Sequence, residues 1–394
     1  MSSNIRVLHS VGVFLRITEN WIYPQITRVP GVASAVLCQQ VLNLPEFPLN
    51  GRPLWKREIL PRNPAHPKPL RAVRRITNWP VNAAALSQAR LWKPAIIHAH
   101  FGTVGWQDRR LRSALGAPLV TSFYGYDAWQ LPTTFPKWRR RLAQLFARGD
   151  MFLVEGSAFR QRLLDLGCVP EKVQIQRLGV DLSRLEYRQR DFTGTLKIAM
   201  VGRFIEKKGL ADGLAACAKA SISGTNLYVT IIGDALPEDP VGQRIKRTLS
   251  AISQSSEMPN RIHFKGSVSH EETLKVLATH DIFLCPSKHS SNGDAEGGLP
   301  VVLLEAMALG LLCLGSRHCD IPEAIINERT GYSFEEGGVE QLATLIRKIA
   351  RVPEGASPIT AAARKHVEEN YDQSHQLAVL GRVYKEIVAV TRQS

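Results

Sequence analysis

The stretch that decides the fold is Glu296-Gly-Gly-Leu-Pro-Val-Val-Leu-Leu-Glu305-Ala-Met-Ala-Leu-Gly310. Glycine lets a backbone come close to an anion, and Pro300 suits the first position of a helix, where its missing N–H costs nothing. The apolar residues that follow predict a helix as far as Gly310. Free amides at the start of such a helix favour a bound anion such as a diphosphate. An ordinary loop followed by a buried helix is the alternative.

The two carboxylates of this stretch lie on opposite sides of the predicted anion site. Glu305 lies about 7.5 Å along the helix from Pro300, because each helical residue rises ~1.5 Å. At that distance its carboxylate would accept hydrogen bonds from a ribose diol while phosphates sit at the helix end. Glu296 precedes the glycines and is left to face a sugar.

A second segment, Ile198-Ala-Met-Val-Gly-Arg-Phe-Ile-Glu-Lys-Lys-Gly-Leu210, predicts a strand, a cationic loop and a helix that begins near Leu210. Arg203 offers a planar fork for two phosphate oxygens, and Lys208 offers a compact point charge. Together they would offset the charge on a departing diphosphate. A solvated surface cation is the alternative for either residue alone, and it is our prediction for Lys207.

The two segments together resemble those of a family 4 retaining glycosyltransferase of the GT-B type, similar to the bacterial enzymes of exopolysaccharide and colanic-acid biosynthesis. The resemblance covers nearly the whole chain. It implies two doubly wound Rossmann-like α/β domains that face each other across a cleft, with a C-terminal helix that crosses back to the first domain. Family members usually have seven residues between the two carboxylates, whereas eight separate Glu296 from Glu305. The extra glycine is expected to move Glu296 relative to the sugar.

The resemblance also implies site residues. Arg203 and Lys208 would bind the donor pyrophosphate, Glu296 would lie beside the transferred hexose, and these three are the predicted catalytic residues. Glu305 would bind the ribose, and Val268 would contact the nucleotide base. The complete set of predicted donor-binding residues is Gly202, Val268, Gly297, Gly298, Leu299, Pro300, Val301 and Glu305.

Strands that alternate with helices predict doubly wound sheets in both halves of the chain. The predicted strands are Ile5–His9, Ile96–Ala99, Leu119–Phe123 and Val173–Leu178, then Lys197–Val201, Leu227–Ile232, Arg261–Phe264, Ile282–Cys285 and Leu311–Leu314. We predict an acceptor-binding domain over residues 1–185, a linker over 186–195, a nucleotide-sugar domain over 196–373 and a crossing helix over 374–394.

Polar residues that follow strands of the first half are candidates for sugar or acceptor contacts. Strand alternation sends His98 and His100 to the same side, and His100 is expected in the cleft, with a core or loop position as the alternative. Tyr124-Gly125 stands where many relatives have His-Gly, so Tyr124 is expected to donate a hydrogen bond to the sugar. Asp127 is expected to orient an acceptor hydroxyl or, preferentially, to cap the next helix.

Composition indicates a globular enzyme of two domains, with 394 residues, 44% hydrophobic and 22% charged. No signal-like segment and no run of the ~18 apolar residues that a membrane span needs is recognised, so a cytoplasmic location is expected. The six cysteines are scattered, mostly in apolar stretches. Cys313, His318 and Cys319 lack a second ligand pair at a suitable spacing, and we predict no metal site.

Basic residues outnumber acidic ones by 50 to 35, which gives a formal charge of +15. The excess is concentrated at Arg52, Lys56, Arg57, Arg62, Lys68, Arg71, Arg74 and Arg75, at Arg109, Arg110 and Arg112, and at Lys137, Arg139, Arg140 and Arg141. No nucleic-acid-binding motif accompanies these charges. We expect this half to bind an anionic membrane face, with Trp55, Trp79, Trp129 and Trp138 at the headgroups. A generally basic soluble surface is the alternative.

The expected activity is transfer of a hexose from a UDP- or GDP-linked sugar, with no cofactor beyond this donor. The acceptor would be a polyprenyl-diphosphate-linked oligosaccharide at the cytoplasmic face of the membrane, which makes the enzyme peripheral. A glycolipid or soluble acceptor, and a catalytically silent sugar-nucleotide-binding protein, are the alternatives. A nucleic-acid binder would instead show binding that falls steeply with salt.

Overall fold

The computed structural model of the protein describes residues 4–57, 83–256, 258 and 260–393. The first half of the described chain forms a parallel sheet with the strand order β3-β2-β1-β4-β5-β6-β7. Its strands are β1 Ile5–Phe14, β2 Val32–Val41, β3 Leu54–Lys56, β4 Ile96–His100, β5 Leu119–Ser122, β6 Met151–Val154 and β7 Val173–Ile175.

The second half forms another parallel sheet, with the order β10-β9-β8-β11-β12-β13. Its strands are β8 Leu196–Val201, β9 Leu227–Ile232, β10 Ile262–Gly266, β11 Ile282–Cys285, β12 Leu312–Ser316 and β13 Tyr332–Phe334. Strands β4, β5, β11 and β12 are buried along their whole length. Apolar runs of this kind are typical of parallel strands that helices cover on both faces.

Helices connect the strands of each sheet. In the first half they are α1 Ile22–Thr27, α2 Ala83–Trp92, α3 Gly102–Leu115, α4 Gln130–Thr134, α5 Lys137–Arg148 and α6 Ser157–Asp165. In the second half they are α7 Leu210–Ile222, α8 Pro240–Ser255, α9 His270–Leu277, α10 Val301–Ala308, α11 Ile321–Ala324, α12 Val339–Arg351, α13 Ala356–Tyr371 and α14 Gln373–Gln393. Single 3-10 turns cover Ile17–Glu19, Pro170–Lys172, Leu182–Arg184, Glu206–Lys208 and Pro353–Gly355.

The last helix, α14, returns to the first sheet. Its apolar side chains recur every three or four residues and so form one stripe along the helix. They pack against residues of β1, β4, β5 and β6 in a single cluster that contains Leu377, Leu380, Val383, Tyr384 and Ile387 together with Val7, Ile96, Val120 and Leu153. The predicted crossing helix is therefore confirmed.

Each sheet has one point where the strand order reverses, between β1 and β4 in the first and between β8 and β11 in the second. Ligands of open α/β sheets bind outside the carboxyl ends of the strands at such points. The loops after β1 and β4 and the loops after β8 and β11 line one shared cleft. The two sheets thus direct their ligand-binding edges toward the same space.

The predicted α/β fold with two Rossmann-like domains is confirmed. Strands β2, β3, β6 and β13 were not among the predicted strands, and β1 continues five residues beyond the predicted His9. Residues 186–195, all of them described, form no helix or strand, and Arg190 donates to the carbonyls of Ala278 and Leu309. The domain boundaries stay a prediction. None of the helices in the described part of the chain has the length and apolar character needed to cross a bilayer.

Candidate active site

The cleft between the two domains has a volume of about 1120 Å³. Ligand pockets usually measure about 300–1,000 Å³, so this cleft has room for a nucleotide sugar and part of a second substrate. Its walls include Trp21 and Tyr124 from the first domain and Arg203, Lys208 and Glu305 from the second.

An ion pair between Lys208 and Glu296 lies at the centre of the second-domain wall. Lys208 Nζ is 2.8 Å from Oε1 of Glu296 and 3.0 Å from Oε2. Ser287 Oγ also donates to Oε1, at 2.8 Å. Lys208 comes from the 3-10 turn after β8, whereas Ser287 and Glu296 come from the loop after β11. The pair therefore joins the two loops at the point where the strand order reverses.

This pairing controls the charge of Glu296. Burial alone would raise the pKa of its carboxyl, but Lys208, Lys207 and the hydrogen bonds lower that pKa to about 2. Glu296 is consequently ionised at neutral pH. It can accept hydrogen bonds from sugar hydroxyls, but it has no proton to donate to a leaving group.

The expectation that Lys207 is a solvated surface cation is wrong. Lys207 is 8% exposed. Its Nζ donates to the Ala295 carbonyl at 2.8 Å and lies 3.1 Å from Oδ2 of Asp294. The 3-10 turn sends the two neighbouring lysines in different directions, so that Lys207 holds the loop just before Glu296 while Lys208 reaches the carboxylate itself.

Arg203 and Gly202 follow β8 directly and line the cleft. Arg203 is exposed, and its guanidinium makes no ion pair with any residue that the structure describes. A Cβ at Gly202 would lie 3.1 Å from Cγ of Lys208, so the glycine leaves room for the lysine stem. Arg203 is thus positioned to bind an anion without first losing a protein partner.

Helix α10 begins at Val301, so Pro300 occupies the preceding cap position instead of the first helical position that we predicted. The turn before it is narrow. A Cβ at Gly297 would lie 2.3 Å from Cα of Gly125, and a Cβ at Gly298 would lie 2.2 Å from Oε2 of Glu155. The two glycines therefore admit atoms of the first domain to this loop, a role that the sequence pattern did not reveal.

Glu305 has a partner that sequence reasoning missed. Its Oε1 lies 2.6 Å from Nε2 of His270, the first residue of α9. The hydrogen bond from Glu305 raises the pKa of His270, against the opposing effect of burial. Both side chains line the cleft, as does Val268 in the preceding loop. These three residues line the same cleft as Lys208.

The structure places His100 beneath the cleft wall, not in the cleft as expected. His100 is fully buried, stacks on His98 with ring centroids 4.3 Å apart, and bonds through Nε2 to His9 at 3.1 Å. Its Nδ1 bonds to the hydroxyl of Tyr124 at 2.8 Å. Tyr124 lines the cleft and covers the histidines. Its hydroxyl therefore points away from the cleft, toward the side of the sheet on which strand alternation places His98 and His100.

Asp127 caps a helix, but not the one that follows it. It is fully buried, and its Oδ2 accepts a hydrogen bond from the amide of Gly102, the first residue of α3, at 2.6 Å. Oδ1 accepts from the Tyr124 amide at 3.2 Å. Burial raises the pKa of Asp127 to about 6, despite these hydrogen bonds. The carboxyl therefore supports the Tyr124 loop and does not line the cleft.

Glu155, Ser287 and His318 belong to the site and were not predicted. Glu155 and Ser287 follow the buried strands β6 and β11, so their place at the carboxyl ends of parallel strands was the available signal. His318 accepts a hydrogen bond from the Glu296 amide at 3.0 Å through Nε2. No local pattern distinguishes this histidine, since its role depends on contact with a distant loop.

Two groups of side chains in the described part of the chain have ligand atoms close enough to hold a metal ion. They are His9, His98 and His100, and His289, His318 and Cys319. Protein hydrogen bonds already use both ring nitrogens of His98, with Tyr384 and Ser122, and of His318, with Glu336 and the Glu296 amide. The ring nitrogens of His98 and His318 are therefore engaged in holding loops and strands together.

The basic face of the first domain is smaller than the sequence suggested. Arg57 is 2% exposed and pairs with buried Asp108 at 2.5 Å. Trp129 is buried and packs on Phe159, so it cannot reach a membrane. Arg62, Lys68, Arg71, Arg74, Arg75 and Trp79 lie outside the described residues. Among the described residues, the other predicted basic positions are Arg52 and Lys56 and a group on α3 and α5.

The surface on α3 and α5, the α3–α5 face, stacks arginines on tryptophans. The guanidinium carbon of Arg109 lies 4.1 Å from the ring centroid of Trp106, and that of Arg141 lies 4.3 Å from Trp106 and 4.7 Å from Trp138. Arg139 and Arg140 on the same helix are exposed. Aromatic rings and cations are therefore held together on one side of the first domain.

Comparison with known proteins identifies the class. Residues 32–184 match the family model described as Glycosyltransferase Family 4, and residues 186–366 match the one described as Glycosyl transferases group 1. The chain is 30% identical to a Salmonella typhimurium glycosyltransferase assigned to colanic acid biosynthesis, over 72% of this chain and 69% of that protein. It is 31% identical to an amylovoran biosynthesis glycosyltransferase of Erwinia amylovora, over 71% of this chain and 67% of the relative.

Solved structures share the architecture. A glycosyltransferase from Rickettsia africae superposes with a TM-score of 0.76 at 17% identity, covering 98% of this chain and 99% of that one. Anabaena HepE in complex with UDP-glucose superposes with a TM-score of 0.74 at 14% identity, covering 98% and 100%. The chain belongs to the family 4 glycosyltransferases, and its fold is GT-B.

Proposed function

We propose that this enzyme is a retaining, metal-independent hexosyltransferase that uses a UDP- or GDP-linked sugar to extend a polyprenyl-diphosphate-linked oligosaccharide in surface or exopolysaccharide biosynthesis. The observation that carries the proposal is the Lys208–Glu296 pair, at 2.8 Å, in the cleft that the start of α10 also lines. It combines a cation for a phosphate with a carboxylate for a sugar at one point of the cleft.

In this proposal, the donor diphosphate binds between Arg203, Lys208 and the amides that precede and begin α10. Two cations and the positive end of a helix offset the charge that develops on the leaving group. Glu305 accepts hydrogen bonds from the ribose, and the backbone near Val268 contacts the base. Glu296, ionised by its contact with Lys208, accepts from the hexose hydroxyls.

Retention follows from attack on the face that the diphosphate leaves. The bond between the anomeric carbon and the β-phosphate oxygen breaks, the acceptor oxygen bonds to the same carbon, and the acceptor's proton passes to a phosphate oxygen. Glu296 is engaged by Lys208 and Ser287, which favours an orienting role over that of a nucleophile. Because Arg203 and Lys208 supply positive charge, we expect turnover to survive chelation of divalent ions.

Tyr124 is the proposed first-domain contact for sugar or acceptor. Its hydroxyl bonds to His100, so it would offer ring surface to a substrate. His100 and Asp127 then act behind it, by holding Tyr124 and its loop in place. Closure of the two walls on the substrates would exclude water and favour transfer over hydrolysis.

The acceptor proposal draws on the α3–α5 face and on the relatives. A membrane-embedded polyprenyl carrier would require the enzyme to bind an anionic surface, and each basic residue near such a surface adds ~1 kcal/mol. Exposed Arg139 and Arg140, with Trp138 under the stacked Arg141, suit that contact. The relatives named for colanic acid and amylovoran biosynthesis support a polysaccharide product. We therefore propose a peripheral location at the cytoplasmic face of the membrane.

A thermal-shift panel of UDP, GDP, ADP and their hexose conjugates, without added metal, tests the donor part. A ligand at ~100 times its Kd stabilises the folded state by about 2.7 kcal/mol. Stabilisation by one nucleotide family would identify the donor class. Absence of any response, in a protein that unfolds cooperatively, would contradict the proposal. The anomeric configuration of the product, measured by NMR, then tests retention.

A further inference from the structure

Glu155 reaches from the first domain onto the donor loop of the second. It follows strand β6, and its Oε2 accepts a hydrogen bond from the Leu299 amide at 3.2 Å. Leu299 lies two residues before the start of α10. Under the proposed function, this amide is one of the groups that bind the donor diphosphate. A carboxyl of the protein therefore uses a hydrogen-bond donor that the substrate also needs.

The loop is shaped to admit this carboxyl. A Cβ at Gly298 would lie 2.2 Å from Oε2 of Glu155, a distance at which one of the two groups would have to move. Gly298 belongs to the glycine pair within the eight residues that separate Glu296 from Glu305. The longer segment between Glu296 and Glu305 thus contains the glycine that Glu155 contacts.

The surroundings of Glu155 are mostly acidic. Asp320 of the second domain, Glu296 of the donor loop and Asp127 behind Tyr124 all act on its carboxyl. Tyr124 and Arg177 line a small cavity together with Glu155. Burial, followed by the charge of Asp320, raises the pKa of Glu155 well above its usual value, and the Leu299 hydrogen bond only partly opposes this.

We propose that Glu155 competes with the donor diphosphate for the Leu299 amide and thereby sets the affinity of the enzyme for its donor. The inference rests on the proposed function, because it assumes that the diphosphate binds at these amides. Glu155 is in this view an affinity-determining residue. Its side chain must leave Leu299, or share the amide, when the diphosphate arrives.

The proposal has a definite pH dependence. Below its raised pKa, Glu155 is neutral and is a weak competitor for the amide. As the pH rises through that pKa, Glu155 becomes negative, accepts the Leu299 hydrogen bond more strongly and repels the diphosphate. The donor Kd is therefore expected to increase with pH.

The experiment measures the Kd of UDP-glucose and GDP-mannose by calorimetry between about pH 6 and about pH 9, where a sugar-linked diphosphate keeps its charge. Glu155→Gln keeps a carbonyl oxygen for Leu299 but cannot ionise. We expect the wild-type Kd to rise about tenfold across this range and the Glu155→Gln Kd to rise less, because the variant retains only the other groups with raised pKa values, His270, Asp127 and Asp320. Glu155→Ala, which frees the amide, should bind more tightly than Glu155→Gln at every pH.

The matched control is Glu323→Gln. Glu323 also crosses between the domains, where it accepts from the amide and hydroxyl of Ser157, yet it has no contact with Leu299. It should leave the pH dependence of the Kd as in the wild type. If Glu323→Gln and Glu155→Ala tighten binding equally, loosening of the domain contact explains the effect and the proposal is overturned.

The outcomes separate the two proposals. If the wild type binds a probe and Glu155→Ala binds it no more tightly, the competition is overturned while the donor site stands. If neither the wild type nor any variant binds either probe, the proposed function fails together with the inference. Circular dichroism of each variant verifies that it is folded at both ends of the pH range.

Discussion

The second domain meets the cleft with ionic pairs, whereas the first domain meets it with aromatic rings. Lys208 with Glu296, and His270 with Glu305, keep part of their surface in the cleft. In the first domain Trp21 and Tyr124 line the cleft beside the Arg16–Glu19 pair and Glu155, while His9, His98 and His100 are fully buried. The ionic pairs of the second domain thus keep surface that a ligand can reach, while the histidine cluster of the first domain serves the fold.

Under the proposed function, this difference follows from what each half would bind. A diphosphate requires cations and free amides that remain accessible. These groups therefore cannot make all of their possible hydrogen bonds and ion pairs within the protein. Buried polar groups are instead paired, because an unpaired one is costly. The four tests that follow run from the largest expected effect to the smallest.

The buried pair Arg57–Asp108 should be the most sensitive point of the first domain. Arg57→Met leaves Asp108 buried without its cation, and we expect the free energy of unfolding to fall by about 3–5 kcal/mol. Denaturant titration measures this loss. Arg188→Met is the control, since Arg188 and Glu186 form an exposed pair. Equal losses in the two variants would mean that the first domain does not depend on its buried charge.

In the second domain, loss of a cation should reduce activity far more than stability. Lys208→Ala and Arg203→Ala should each lower kcat by about 10²-fold or more, because the leaving diphosphate is no longer neutralised. Lys208→Ala should have the larger effect, since it also removes the partner of Glu296. Release of nucleoside diphosphate from the donor measures kcat, and Lys246→Ala, at the exposed pair with Asp234, is the control. Near-native turnover in both variants would refute the phosphate assignment.

Glu305 should affect binding more than chemistry. Glu305→Ala is expected to raise the donor Kd about 10- to 100-fold, because the ribose loses a charged hydrogen-bond acceptor. The kcat measured at saturating donor should change less. Glu271→Ala, on α9 next to His270 and in an exposed pair with Lys275, provides the comparison. An unchanged Kd in Glu305→Ala would show that the ribose binds elsewhere.

A substitution at Tyr124 tests whether the first domain contacts the substrates through aromatic rings. Tyr124→Phe keeps the ring and removes the hydroxyl that bonds to His100, so we expect a loss of about 0.5–1.5 kcal/mol in stability. The donor Kd should stay within about twofold. Tyr384→Phe, which removes the hydroxyl bonded to His98, should lose a similar amount. A large fall in kcat for Tyr124→Phe, but not for Tyr384→Phe, would mean that the Tyr124 hydroxyl contacts the substrate. The first domain would then also contribute a polar group to the reaction.

Sequence reasoning predicted the position of a residue correctly where that position depends on a short segment. Arg203 and Lys208 follow one strand, and the glycine turn precedes one helix, so local order brought each to the expected part of the cleft. It failed for Lys207, His100 and Asp127. Neighbouring lysines look alike in sequence, and the turn of the backbone decides which of them is buried. For His100 and Asp127, the ring of Tyr124 and the start of α3 decide whether the side chain reaches the cleft.

The amino-acid order was sufficient for the family, the two alternating α/β halves and the cationic and carboxylate residues of the donor side, because periodicity and motif spacing are local properties. Contacts between distant segments established the rest. The residues of the Glu155–Leu299 hydrogen bond are 144 positions apart in the sequence, and those of the Lys208–Glu296 ion pair are 88 apart. Such pairs form when packed sheets bring their strand ends together, and the free energy of that packing is spread over the whole core.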